Sequence, residues 1–276
     1  MFTLDEAVRH LRARPEYQDL VRDAYLGPDV ADSYRRFVAS AEWDEVRSQL
    51  GDAIRDAVVV DLGAGTGLAS RAFVEAGARQ VYALEPDPSN EVGYCVIRRL
   101  TSGMPVAIVS SYGERIPLAD GSVDIVYARQ VLHHTRDLAA AAAECARVLR
   151  PGGHFIACRE HVVRDDVELR AFLAAHPMHQ LAGGENAYTL VEYESALRRA
   201  GLTIVKTLAP WDSVINAFPA VRSRRELEEL PRRRLRDRFG LLGSLMGRLP
   251  FVSQIMWARI RRPSPGQLYS FVGRKR

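Results

Sequence analysis

The chain has 276 residues, 47% of them hydrophobic and 26% charged, which suits one large α/β domain with appendages or two small domains. No run of about 18 apolar residues occurs, which excludes a transmembrane helix, and the acidic start Met1-Phe2-Thr3-Leu4-Asp5-Glu6 has no form of a secretory signal. The net charge of +4 is uneven, because residues 222–276 hold 15 Lys/Arg against 4 Asp/Glu, a balance of +11, and leave −7 for residues 1–221.

Residues 1–52 read as an N-terminal helical arm. Leu4, Val8, Leu11, Leu20, Val21 and Tyr25 mark an apolar face over 3–26, with Pro15 as an interruption, and Tyr34, Phe37, Trp43, Val46 and Leu50 mark a second helix over 30–50. From residue 58 strand and helix patterns alternate. Strands are predicted at 58–62, 80–85, 106–110, 123–127 and 154–159, with helices near 67–76, 89–101 and 136–149 between them. Such alternation implies parallel βαβ units and an open, doubly wound sheet whose ligand crevice lies at the strand C-termini. Residues 160–188 are looser and glycine-rich at Gly183-Gly184-Glu185-Asn186, so His176 and His179 are expected on the surface there. Thr189 and Glu192 form a capping box for a helix to Ala200, followed by a strand at 202–208 and a last strand at 268–272. The core is thus 53–208, closed by 267–276, with a basic and amphipathic helical insertion at 209–266. Cys95, Cys145 and Cys158 lack metal-ligand spacing and read as reduced thiols of a cytoplasmic protein.

The run Val58-Val59-Val60-Asp61-Leu62-Gly63-Ala64-Gly65-Thr66-Gly67 is a buried strand entering a tight turn before a helix. Glycines there let backbone approach a ligand closely. A dinucleotide fingerprint needs a third glycine where Leu68 stands, which argues against NAD. Asp61 beside the turn would repel a pyrophosphate and favour an ammonium-bearing ligand, while Glu85 at the end of the second strand can accept from ribose hydroxyls.

Asp61-Leu62-Gly63-Ala64-Gly65-Thr66-Gly67 resembles the first motif of class I S-adenosylmethionine-dependent methyltransferases. Residues 113–124, Val131-Leu132-His133-His134 and Arg147-Val148-Leu149-Arg150-Pro151-Gly152-Gly153 resemble later motifs of its UbiE-like, small-molecule branch, in order over about 55–160. The resemblance implies a seven-stranded Rossmann-like sheet and S-adenosylmethionine as cofactor. It implies that Asp61, Gly63, Ala64, Gly65 and Gly67 approach the methionine part and ribose, that Glu85 and Pro86 bind the ribose, and that Tyr112, Gly113 and Glu114 line the adenine. Family members usually carry Asp where Tyr112 stands, so tyrosine packing and backbone groups would replace that contact. Arg129, after the fourth strand, could pair with the cofactor carboxylate or an anionic substrate, or form a surface ion pair.

Methyl transfer is an in-line displacement governed by alignment, and an oxygen or nitrogen acceptor must also lose a proton. His133, His134 and His161 are the candidate bases, with Glu160 beside them, all at strand C-termini. Ala128-Arg129-Gln130-Val131 lacks the proline-aromatic grip of nucleobase methyltransferases, so a small-molecule acceptor and no nucleic acid are expected, most readily at a hydroxyl of a natural product, sugar or isoprenoid-type compound. N- or C-methylation, and a non-catalytic scaffold on the same fold, are the alternatives. The insertion at 209–266 is expected to be a lid over the crevice, with peripheral membrane contact through 222–262 as the other reading. A homodimer is left open.

Overall fold

The computed structural model describes residues 1–246 and 248–276. Eight strands build one sheet: β1 (Val58–Leu62), β2 (Gln80–Leu84), β3 (Val106–Val109), β4 (Val123–Arg129), β5 (Leu149–Val163), β6 (Tyr188–Thr189), β7 (Leu202–Leu208) and β8 (Gln267–Lys275). Seven of them run in the order β3-β2-β1-β4-β5-β8-β7, and the two-residue β6 pairs with β5. Pairing is parallel from β3 across to β5, and β8 lies antiparallel between β5 and β7. The order reverses at β1, which pairs with β2 on one edge and β4 on the other, so the crossovers diverge there and open a crevice at the strand ends.

The helices are α1 (Leu4–Arg12), α2 (Gln18–Asp23), α3 (Val30–Val38), α4 (Ala41–Leu50), α5 (Leu68–Glu75), α6 (Tyr94–Leu100), α7 (Leu138–Val148), α8 (Asp166–Ala175), α9 (Pro177–Ala182), α10 (Leu190–Arg199), α11 (Val214–Ala217), α12 (Arg224–Met246) and α13 (Pro250–Ile260). The period-2 alternation of the strands sends their two faces into separate cores. Val59, Ile125, Tyr127 and Ile156 pack under α3, α4 and α5, where Trp43 stands edge-on to Phe73 at 5.0 Å. Val60, Leu62, Val126 and Phe155 pack under α7 and α10 with Leu138, Cys145 and Tyr193.

Four local differences from the sequence expectation have physical causes. The helix expected over 30–50 breaks at Ser40, whose side chain accepts from Trp43 N and starts α4 afresh. β5 runs to Val163 because β6 and β8 give its far end partners. The loose segment 160–188 contains α8 and α9, and Phe2 N donates to Leu181 O at 2.9 Å, so α1 and α9 meet. The insertion before β8 is helical, but its apolar inner face, Val214, Val221, Leu227, Leu230 and Trp257, packs together and against Ala41 of α4.

Candidate active site

The three glycines after β1 all have positive φ, 60° at Gly63, 56° at Gly65 and 80° at Gly67, and they meet different demands. A Cβ on Gly63 would lie 2.5 Å from Val131 Cγ2, so glycine there lets the turn touch the loop after β4. A Cβ on Gly67 would meet Ile97 at 3.1 Å, so that glycine serves the packing of α5 on α6. Beside Gly65 the nearest atom is Gly63 O at 4.0 Å, leaving room for a ligand.

Glu85 follows β2 and is 8% exposed. Its Oε2 accepts from Gly65 N at 2.8 Å and its Oε1 from Asp87 N at 3.0 Å, which ties the two loops together. Burial pushes its carboxyl from 4.5 up to about 6, against the pull of those two backbone bonds. Asp61 behaves otherwise than its position beside the turn suggested. Strand alternation turns it to the α5 side, where Ser70 Oγ donates to its Oδ2 at 2.5 Å and it is 2% exposed. Burial raises its carboxyl to about 7, and it does not line the crevice, so its carboxylate is a partner of α5.

A cavity of about 390 Å³ lies under the insertion, and a larger one of about 730 Å³ fills the crevice. Gly63, Glu85, Pro86, Tyr112, Gly113 and Glu114 line the larger cavity together with Gln130, Val131, His134 and Glu185, and Leu4 of α1 and Met178 of α9 also contribute to its lining. Ala64, Gly65 and Gly67 adjoin it without being part of that lining, Ala64 N donating to Leu84 O at 2.9 Å. None of its lining residues comes from 209–266, which corrects the expected lid: the cover is built from α1 and the α9 region. Asp5 holds α1 in place by accepting from Glu91 N at 3.0 Å.

The histidines gather beside this cavity. β5 carries a bulge at Arg159 (φ 61°), and beyond it Glu160 faces the loop after β4, fully buried. Glu160 accepts from Val131 N and His133 N, both at 3.1 Å, and from His133 Nδ1 at 2.7 Å. His133 is buried and does not line the cavity. His134 does, with Nδ1 3.2 Å from Gly184 O. That carbonyl can only accept, so Nδ1 carries the proton and Nε2 keeps its lone pair. Desolvation, then the neighbouring His133, lowers the pKa of His134. His161 is not poised as a base: it donates from Nδ1 to Gly266 O at 2.8 Å, is packed against His133 and Phe172, and burial takes its pKa down to about 3. His176 and His179 are half-buried, with the Nδ1 of each out of solvent. Glu185 is the residue that the linear pattern hid. It reads as part of a glycine turn, and only the fold carries its carboxylate to 3.7 Å from His133 Nε2 and 3.8 Å from His134 Nε2.

Arg129 lies away from the cavity. It shares a strand face with Tyr127 and meets Glu42 of α4, Nε to Oε1 at 2.5 Å and Nη2 to Oε2 at 3.1 Å, with the Tyr25 ring 5.4 Å from its guanidinium. Glu42 is fully buried, and its arginine partners hold its carboxyl below the usual value in spite of that burial. The cofactor-carboxylate role expected of Arg129 is therefore replaced by an internal ion pair that fastens the helical arm to the sheet. Tyr188 is likewise structural, its hydroxyl donating to Thr135 O at 2.6 Å.

Residues 60–157 match the family described as a methyltransferase domain. An uncharacterized methyltransferase of Mycolicibacterium gilvum is 33% identical over 151 residues, 55% of this chain and 55% of that protein. A ubiquinone biosynthesis O-methyltransferase of Rhizobium etli is 30% identical over 151 residues, 53% of this chain and 60% of that one. The chain spans about half the length of the curated relatives it matches. In structure, an S-adenosylmethionine dependent methyltransferase from Mesorhizobium loti shares the fold at a TM-score of 0.56 and 21% identity, covering 86% of this chain and 98% of that chain.

Arg129→Met leaves buried Glu42 with only the more distant Arg159, 4.0 Å away, and is expected to lower stability by about 3–5 kcal/mol. Adding Glu42→Met restores part of the loss, with urea unfolding as the measure.

Proposed function

We propose that this chain, whose residues 60–157 match the methyltransferase-domain family, uses S-adenosylmethionine as cofactor to methylate a hydroxyl oxygen of a small molecule. The observation that carries the reading is a single cavity lined by Gly63 of the glycine turn and Glu85 together with His134 and Glu185. Its volume of about 730 Å³ falls in the usual range for small-molecule sites.

The residues fit the cofactor. Glu85 keeps lone pairs free beyond its two backbone bonds, enough to accept from vicinal ribose hydroxyls. The open space beside Gly65 admits the ligand at the turn, and Tyr112, 65% exposed, offers a ring face for an adenine. Bound S-adenosylmethionine supplies a methyl group on a sulfonium sulfur, a centre whose displacement depends on alignment. This chain's residues do the rest: α1 and the α9 region cover the cavity and limit water, and the wall of His134 and Glu185 is where an acceptor hydroxyl gives up its proton. The Rhizobium etli relative is a ubiquinone biosynthesis O-methyltransferase, which supports oxygen as the acceptor atom.

The insertion carries a separate feature away from the crevice. α12 kinks at Gly240 (φ 59°) and packs with α13, and Leu241, Leu242, Leu245, Leu249, Phe251 and Ile255 stay exposed around their junction. Arginines at 232–238 and 259–262 flank this apolar stretch on both sides. We infer that the α12–α13 pair rests on an anionic membrane surface, where apolar burial and about 1 kcal/mol per basic residue act together.

Calorimetry should show S-adenosylmethionine binding to the wild type, and Gly65→Asp should abolish it, by putting a side chain on a positive-φ backbone in the ligand's space. Absence of binding by the wild type would sink the reading. The raised pKa of Glu85 sets a pH dependence. Ionising Glu85 costs the free protein stability as pH rises from 4.5 to about 6, and hydroxyls that bond to the carboxylate offset that cost. Cofactor affinity therefore falls as pH drops below about 6, and Glu85→Ala weakens binding roughly 10- to 100-fold and flattens the profile. For the membrane reading, the protein should pellet with phosphatidylglycerol vesicles more than with phosphatidylcholine ones, and a Leu241→Asp, Leu245→Asp, Phe251→Asp variant should remain in the supernatant. Equal pelleting of variant and wild type would remove it.

A further inference from the structure

We propose that His133 Nε2, His134 Nε2 and the Glu185 carboxylate form a binding site for a divalent transition-metal cation in the wall of the cavity. The proposal rests on the preceding reading for its role in the reaction, though not for the binding itself.

Three atoms that can each donate a lone pair converge. Both imidazole nitrogens point at Glu185 Oε2, at 3.7 and 3.8 Å, and all three ligand atoms lie within 4.8 Å of one another. Those separations are too long for hydrogen bonds. They come close to the spacing of neighbouring ligands about a shared ion, about 3.4 Å for tetrahedral bonds of 2.1 Å.

The far side of each ring decides which nitrogen carries the proton. His133 Nδ1 meets Glu160 Oε2 at 2.7 Å, and that carboxylate already accepts from two backbone amides. His134 Nδ1 meets the Gly184 carbonyl. When neutral, both rings therefore present unprotonated Nε2 atoms, and the carboxylate–histidine pairing is the outer support that metal-binding histidines usually have. Two nitrogen lone pairs and a carboxylate oxygen then face one another across the gap, an arrangement that a cation would stabilise. A fourth group adds to this. His176 Nδ1 is buried, has no hydrogen-bond partner among the described residues, and lies 3.7 Å from Glu185 Oε1.

Two imidazoles and one carboxylate suit zinc or manganese better than magnesium, which prefers oxygen ligands. His134 and Glu185 line the cavity, so the open coordination position faces the acceptor. A cation there lowers the pKa of an acceptor hydroxyl that reaches it, and the hydroxyl proton passes to water. The oxygen lone pair then forms the bond to the methyl carbon, while the electron pair of the broken carbon–sulfur bond stays on sulfur. The substrate class is accordingly a hydroxylated compound whose acceptor oxygen can ligate the ion.

The test uses the full chain, stripped with a chelator and titrated with Zn²⁺ alone, and in parallel with Mn²⁺ and Mg²⁺. One equivalent of Zn²⁺ or Mn²⁺ should bind by calorimetry and metal analysis, with Mg²⁺ binding far more weakly. Glu185→Gln and His134→Asn should each weaken that binding by about 10- to 100-fold. Circular dichroism spectra and urea-unfolding midpoints near the wild-type values should show that both variants fold. Lack of stoichiometric binding by the wild type, preference for Mg²⁺, or unchanged affinity in both variants would overturn the site. Stoichiometric metal with no cofactor binding would instead overturn the methyltransferase reading and leave the site standing.

Discussion

Parallel pairing of β1 with both β2 and β4 is the constraint on which the crevice depends. Two neighbours on opposite edges send their crossovers to opposite faces, so the loops leaving the three strands cannot close over one another. Gly63 lets the β1 turn touch Val131, and Glu85 holds Gly65 N from the side of β2. The three strand ends are thus locked together with backbone exposed between them. A ligand enters that space without having to order the loops first, which reduces the entropic cost of binding.

Buried charge organises the other wall. Arg129 and Arg159 reach toward Glu42, and Glu160 accepts three bonds from the loop that carries His133. Such groups are expensive to bury and repay the cost only when their partners are in place. Here both sets join segments distant in sequence: Glu42–Arg129 ties α4 to β4, and Glu160–His133 ties β5 to the turn after β4. The positive φ of Gln130 and Arg159 marks the same junction, where backbone departs from strand geometry to aim these side chains. Stability and site geometry are therefore set by the same contacts.

The cover of the crevice shows how far a local pattern can mislead. An amphipathic insertion tethered to the sheet at both ends has the composition of a lid, yet its apolar inner face packs on itself and on α4. The N-terminal arm closes the cavity instead, fastened by Asp5 and by Phe2 against the end of α9. Nothing in the periodicity of α1 distinguishes a helix that covers a crevice from one that only packs on a sheet.

Strand periodicity, the glycine turn and the acid ending the second strand were enough to determine the doubly wound sheet and one wall of its crevice. Those features are local: β-branched runs, positive-φ glycines and a residue one step past a strand depend on neighbours in the chain. The sequence placed His134 after β4, but only the tertiary structure decided what it meets. Arg129 and Asp61 carry charges that looked available to a ligand, but strand alternation turned them to helices α4 and α5. Glu185, inconspicuous between a glycine pair and an asparagine, reaches His133 and His134 because β5 and its bulge bring segments some 50 residues apart together. Convergence of side chains across such distances is a property of sheet order and register, which no stretch of sequence carries by itself.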